Sequence, residues 1–389
     1  MLELSAEQSA FHEEVAAFAR DFVAPQAARA DADGRLADGL IEQLAARGYL
    51  GVTAPEEYGG LGRDDVCYAL AVEELSRACG STGILVAAHN SLGVFPIVRF
   101  GTEQQKRRYL PSLVRGGKIG AFGLTEACAG SDAAGVRTVA RPVEGGFVLN
   151  GSKTFITSGS FAEVVVVAAS LDPSRGVKAI SNFLVDHDAP GFSAGRKEDK
   201  LGLRGSDTSE LFFQDCHVPE DNLLGKLGDG FRQFMITLDG GRISIGAMAV
   251  GLGQAALDTA WAHLEAQAGA RPEALERQAT QMALAEMETR VAAARLMVLH
   301  AARLKSAGQP HVIEAAMAKG FASEAGTWAA SQAIQICGEG AMEAAHPASR
   351  IWRDVRLCQI GEGTTEVQRI VIFRHRLKRR AQALVTAGR

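Results

Sequence analysis

Phe147-Val148-Leu149-Asn150-Gly151-Ser152-Lys153-Thr154-Phe155-Ile156-Thr157 decides the fold, because it sets two β-prone triplets in a chain whose two ends read as helix. Val164 to Val167, Asn182 to Val185 and Leu211-Phe212-Phe213 repeat that texture, separated by Gly, Pro, Asn and Asp turns. Gly145-Gly146 lies between candidate strands, where a hairpin turn needs positive φ. The spacing predicts a small antiparallel β domain in the middle of the chain.

Outward from that centre both flanks are helical. Ser5 followed by Gln8 reads as a capping box, and Phe11, Val15, Phe18 and Phe22 recur at helical spacing behind it. Alanine and leucine dominate up to Gly120, punctuated at Gly59-Gly60-Leu61-Gly62 and Gly116-Gly117. From Phe231 the helical texture returns, broken at Pro272, Gly308 to Pro310 and Gly338 to Gly340, which implies about four long helices. The expected fold is α+β and mainly α: an N-terminal helical domain over 1–120, a central antiparallel β domain over 121–230 and a C-terminal four-helix bundle over 231–389.

Composition narrows the function. The 389 residues are 47% hydrophobic and 22% charged with a net charge of −4, which argues for a packed globular chain without a phosphate-backbone footprint. The basic run Arg374 to Arg380 reads as a solvated helix end. The start lacks the basic and apolar regions of a secretion signal, and no uninterrupted apolar run reaches the roughly 20 residues of a membrane span, so a cytoplasmic location is expected. Cys67, Cys79, Cys128, Cys216, Cys337 and Cys358 are scattered, suggesting reduced core residues and no metal site.

Most candidate motifs have a plainer reading. Gly251-Leu252-Gly253-Gln254-Ala255-Ala256 fits a dinucleotide fingerprint but sits inside a helical pattern, where small residues serve close packing. No nucleophile turn is present, and His89 and His217 read as structural. The informative stretch is Arg353 to Arg369, in which Gly361-Glu362-Gly363 interrupts two helices. A glycine-flanked carboxylate lets backbone approach a ligand closely, and desolvation would raise its pKa toward the range of a base. On local chemistry alone, a solvated glutamate in an inter-helix loop is the commoner outcome.

Ile360-Gly361-Glu362-Gly363-Thr364-Thr365-Glu366-Val367-Gln368-Arg369 resembles the C-terminal signature of the acyl-CoA dehydrogenase family. Leu124-Thr125-Glu126 through Ala129-Gly130-Ser131-Asp132, Asn150-Gly151-Ser152-Lys153 through Phe155-Ile156-Thr157, and Leu238-Asp239-Gly240-Gly241-Arg242 resemble other family motifs in order and spacing. Lys200 to Ser206 and Leu238 to Ile243 are most similar to short-chain and butyryl members. The resemblance implies FAD as cofactor and Glu362 as the α-proton base, with hydride passing to flavin N5. It further implies flavin contacts at Phe122, Leu124, Thr125, Ser131, Phe155, Ile156, Thr157, Gln278, Gln335, Gly338, Glu339, Thr364, Thr365 and Glu366. Substrate contacts are implied at Ser131, Asp239, Arg242 and Gly363. Where some members carry the base on the helix before the arginine, this chain has Gly241.

The implied substrate is an acyl-CoA or an acyl-carrier-protein thioester, the implied acceptor an electron-transfer flavoprotein, and the implied assembly a homodimer or homotetramer, with neither nucleic acid nor membrane as partner. A flavin oxidase or monooxygenase on the same scaffold is the competing class. Four departures stand out: Gln267, Ala270 and Arg271 replace an Arg-x-x-Phe-Gly stretch; Glu339 and Met342 replace a glycine and an aromatic; Ala127-Cys128 replaces Pro-Gly; and Gly361 replaces a tyrosine. The first two should weaken FAD retention, and the last leaves room beside the acyl chain.

Overall fold

Ser5 opens helix α1 (Ala6–Phe18) through the predicted capping box: its side chain accepts from the Gln8 N–H at 3.1 Å, and the Gln8 side chain takes the Ser5 N–H at 3.0 Å. Phe11, Val15 and Phe18 are buried as their spacing requires. At Ala19–Val23 the helix widens into a π turn, so Phe22 ends half-buried and stacked on Phe18 at 5.3 Å. The structure, a computed structural model, describes residues 3–269 and 275–387. Helices α2 (Ala27–Asp33), α3 (Leu40–Ala46), α4 (Asp65–Ala78), α5 (Gly80–Ala88), α6 (Phe95–Phe100) and α7 (Glu103–Val114) complete the first helical stretch.

Strands β1 (Gly120–Gly123), β2 (Val139–Val143), β3 (Gly146–Thr157), β4 (Val164–Ser170), β5 (Ile180–Asp186), β6 (Phe192–Lys197), β7 (Thr208–Pro219) and β8 (Leu223–Leu224) follow. Their order is β6-β7-β3-β2-β4-β5-β8, with β1 beside β4. The β2–β3 hairpin turns at Gly145, whose φ is 77°. The two triplets at 147–149 and 155–157 are parts of one strand; the register against β7 slips at Leu149/Gly151 and again at Lys153/Ile156, so Asn150-Gly151 is a bulge and not a turn. The sheet is mixed, because β1 runs parallel to β4. Parallel neighbours need a long connection, and here the loop after β1 and the β2–β3 hairpin supply it.

Helices α8 (Gly230–Ala268), α9 (Gln278–Ser306), α10 (Val312–Cys337) and α12 (Thr365–Ala387) are the four long helices of the C-terminal part, with the shorter α11 (Pro347–Val355) before the last. The dinucleotide-like spacing lies inside α8. A Cβ on Gly251 would lie 2.1 Å from the Glu73 carbonyl oxygen, and one on Gly253 3.3 Å from Gly326 Cα, so both glycines exist for helix contact. Gly80–Phe100 and Gly230–Ala268 are long and apolar enough to cross a membrane by composition, but 78% and 83% of their most apolar windows are buried inside the fold. His89 is likewise internal, receiving the Gly120 N–H on Nδ1 and facing the Leu113 carbonyl with Nε2; burial takes its pKa down to about 4. Five of the six cysteines are buried, whereas Cys128 is exposed, so it is not the core residue its scatter suggested.

Candidate active site

The chain leaves α11 through a tight turn at Arg356–Gln359 and bends before α12. Glu362 occupies the left-handed region with φ 52°, followed by Gly363 at φ 91°. For a non-glycine residue this backbone costs about 1–3 kcal/mol and persists only where neighbours hold it. Those neighbours are identifiable. Lys319 Nζ donates to the Gly363 carbonyl at 2.6 Å, Gln368 Nε2 donates to the same oxygen at 2.8 Å and to the Glu362 carbonyl at 3.3 Å, and Ser323 Oγ donates to Cys358 O at 2.7 Å.

The bend turns the Glu362 carboxyl toward α8. A Cβ on Gly241 would fall 1.8 Å from Glu362 Oε2, so this glycine is the space the carboxyl uses. Oε2 is buried without a hydrogen-bond partner. Burial pushes the carboxyl up to about 7, against the opposing pull of Lys319 and Arg242. The residue is therefore not a solvated loop glutamate; it can hold or release a proton near neutrality.

One helical turn back on α8, Leu238 packs in a cluster with Phe122, Leu124, Phe231 and Phe234, which joins the loop after β1 to the helix facing Glu362. Between Leu238 and Gly241, Asp239 takes a hydrogen bond from Arg242 Nη1 at 2.5 Å. Arg242 is 2% exposed and its Nε has no partner. Burial raises the Asp239 pKa, with Arg242, His311 and His375 acting the other way.

The β side is pinned by Glu126 and Lys153. Lys153 Nζ, wholly enclosed, donates to Glu126 Oε1 at 2.7 Å and to the Leu124 carbonyl at 3.2 Å, while the Thr154 N–H donates to Thr125 O at 2.9 Å. These bonds tie the loop at 124–126 to the end of β3. Phe155, at φ 58°, is thrown outward and is 67% exposed; Thr157 is half-buried and Ser131 is exposed. The Ile156 side chain is 3% exposed and belongs to the β core, which leaves only its backbone for any ligand. Thr364, Thr365 and Glu366 line a cavity of about 220 Å³ with Glu324, Arg356, Gln359 and Ile360, and the Thr365 hydroxyl is buried without a partner.

Other expected positions stand apart from Glu362 within one chain. Gln335 lies about 24 Å along α10 from Lys319, and Gly338 and Glu339 follow beyond it. Gln278 begins α9, about 40 Å along that helix from Lys305, whose Nζ is 2.9 Å from a Cβ position on Gly240. Gln335, Gly338, Glu339 and Gln278 are all exposed. Gln267 is exposed too and meets His263 at 2.8 Å; Ala270, Arg271 and Pro272 lie outside the described residues. Lys319 was not anticipated, although a lone lysine in the alanine-rich Ala315 to Ala322 stretch was a readable signal.

Profiles of the N-terminal, middle and C-terminal domains of acyl-CoA dehydrogenases match residues 5–117, 121–216 and 228–377. A probable acyl-CoA dehydrogenase of Bacillus subtilis, YngJ, is 45% identical over 97% of this chain and 99% of its own length. Butyryl-CoA dehydrogenase from Megasphaera elsdenii superposes with a TM-score of 0.94 at 39% identity, covering 97% of this chain and all of the other. PigA solved with FAD and proline gives a TM-score of 0.92 at 29% identity, covering 96% of this chain and 98% of the other.

Proposed function

Since this chain belongs to the acyl-CoA dehydrogenase family, with FAD as cofactor, we propose that it oxidises a short or modestly branched acyl-CoA to the 2-enoyl thioester with Glu362 as the base. The observation that carries this reading is the unpartnered Glu362 Oε2, enclosed and directed at the gap left by Gly241. An acid with a pKa near 7 is poised to take a proton at neutral pH.

The residues present suit the cofactor. An exposed Phe155 ring, the pinned 124–126 loop and an unsatisfied Thr365 hydroxyl are surfaces that a large aromatic and polar group would cover. Phe122, Leu124, Thr125, Ser131, Phe155, Thr157, Thr364, Thr365 and Glu366 would hold it, with the backbone of Ile156. Gln278, Gln335, Gly338 and Glu339, at the far end of the bundle, would serve a neighbouring copy in a homodimer or homotetramer. When bound, FAD supplies the acceptor for the β-hydride. Glu362 Oε2 takes the α-proton, the Glu362 N–H donates to the thioester carbonyl as charge grows there, and Asp239, Arg242, Ser131 and Gly363 orient the thioester. Packing around Leu238 gives that wall an apolar lining. Electrons then pass to an electron-transfer flavoprotein.

Glu362→Gln tests the assignment. The variant keeps FAD and binds thioester but loses about 10²–10⁴-fold in turnover, read as anaerobic bleaching of the flavin spectrum by a panel of acyl thioesters. Near-normal bleaching rejects the base. A second reading changes only the carrier: the exposed Ala127–Cys128 loop and the likeness to a prolyl acyl carrier protein oxidase, 28% identical with a TM-score of 0.90, favour a carrier-protein thioester. Parallel kinetics with CoA and carrier-bound thioesters separate the two.

A further inference from the structure

Lys319 has no exposed surface and sits within the apolar packing of α10. Among the described residues no carboxylate forms an ion pair with it, and its ammonium donates to the Gly363 carbonyl. A buried cation is costly, and a neutral donor could hold a carbonyl at lower cost. The position of that charge explains the choice, because it lies next to the residue that carries the enclosed carboxyl.

We propose that Lys319 is a positioning residue for the base: its hydrogen bond to the Gly363 carbonyl fixes the left-handed bend, and its charge favours the proton-accepting form of Glu362. This rests on the reading of Glu362 as the base. The electrostatics agree with the geometry, since Lys319 opposes the rise that burial imposes on Glu362. Arg242 on α8 acts in the same direction but is held by Asp239. Tyr68 on α4 also feels the Glu362 charge, and Cys358 and Glu366 act on Lys319. Burial lowers Lys319 itself to about 8, so its ammonium is still largely charged at neutral pH, where Glu362 gives up its proton.

The test uses FAD-bound holoenzyme. Infrared difference titration follows the Glu362 carboxyl band, identified by its loss in Glu362→Gln, alongside the acid limb of kcat/KM against pH. Lys319→Met removes an opposite charge from the carboxyl's surroundings, so both the band and the limb move up by about one pH unit or more. Lys319→Arg leaves them in place. Should the methionine variant not accumulate with FAD bound, Lys319→Gln, which keeps a donor without the charge, gives the same reading. An unmoved carboxyl titration in the neutral variant overturns the proposal, even if turnover falls. Normal turnover in Glu362→Gln instead removes the base assignment and leaves the titration of the band to judge Lys319 by itself.

Discussion

Glu126 and Glu362 are both carboxylates withdrawn from water, one on the β side of the site and one on the helical side, and their surroundings treat them in opposite ways. Glu126 accepts from Lys153 Nζ at 2.7 Å, Thr138 Oγ1 at 2.7 Å, and the N–H groups of Arg137 and Thr138 at 2.7 and 2.9 Å. Burial alone would push its carboxyl up, but Lys153 and Thr138 overcome that, and its pKa is held below the ordinary value. Lys153 is drawn down by burial to about 8, which leaves both partners charged at neutral pH. Glu362 Oε2 has no donor, and its carboxyl rises to about 7. A buried carboxylate whose lone pairs are filled holds structure together, whereas one left partly unfilled keeps an appetite for a proton.

The contrast breaks most visibly at Lys153. Lys153→Met strands the Glu126 charge and should destabilise the protein by about 3–5 kcal/mol in chemical denaturation at neutral pH. A loss under about 1 kcal/mol would mean that the pair does not hold the loop. Glu362 predicts the reverse sign. Its folded pKa lies above that of the unfolded chain, so the folded state binds the proton more tightly. The stability this group gives is complete below the unfolded value and is lost as pH rises through about 7. Glu362→Gln should therefore be more stable than the wild type by about 3 kcal/mol near pH 8.5, with the gain fading toward pH 4 in parallel urea melts. A pH-independent difference would show that the buried charge is not its source.

The same contrast separates what the sequence could disclose from what it could not. The capping box at Ser5, the hairpin at Gly145 and the four long helices were legible, because each depends on residues near one another in the chain. Strand β1 was not, since half of Gly120-Ala121-Phe122-Gly123 is glycine and its pairing with β4 is set by a distant partner. Glu362 stood out through its glycine neighbours and a family resemblance, but its desolvation comes from α8 and α10, and that proximity is tertiary. For the same reason the lone lysine of α10, Lys319, is conspicuous in the sequence without its contact to the Glu362 bend being legible there, while Gln335 and Glu339 looked like neighbours of a site that lies about 24 Å or more along α10.

Thr138 gives the finest test of why the two glutamates differ. It supplies two of the donors to Glu126, and Thr138→Val removes only the hydroxyl, leaving the backbone N–H and nearly the same volume in a residue that is 1% exposed. One hydrogen bond to a charged acceptor is worth about 1.5–3 kcal/mol, so the variant should lose that much at neutral pH. The lost bond favoured ionised Glu126, whose folded pKa is depressed. The stability it contributes is present above the unfolded pKa and disappears as pH falls through the folded one. Denaturation of the two proteins should therefore converge in acid. If the gap persists there unchanged, the threonine acts through packing, and the contrast between Glu126 and Glu362 owes less to hydrogen-bond donors than to Lys153.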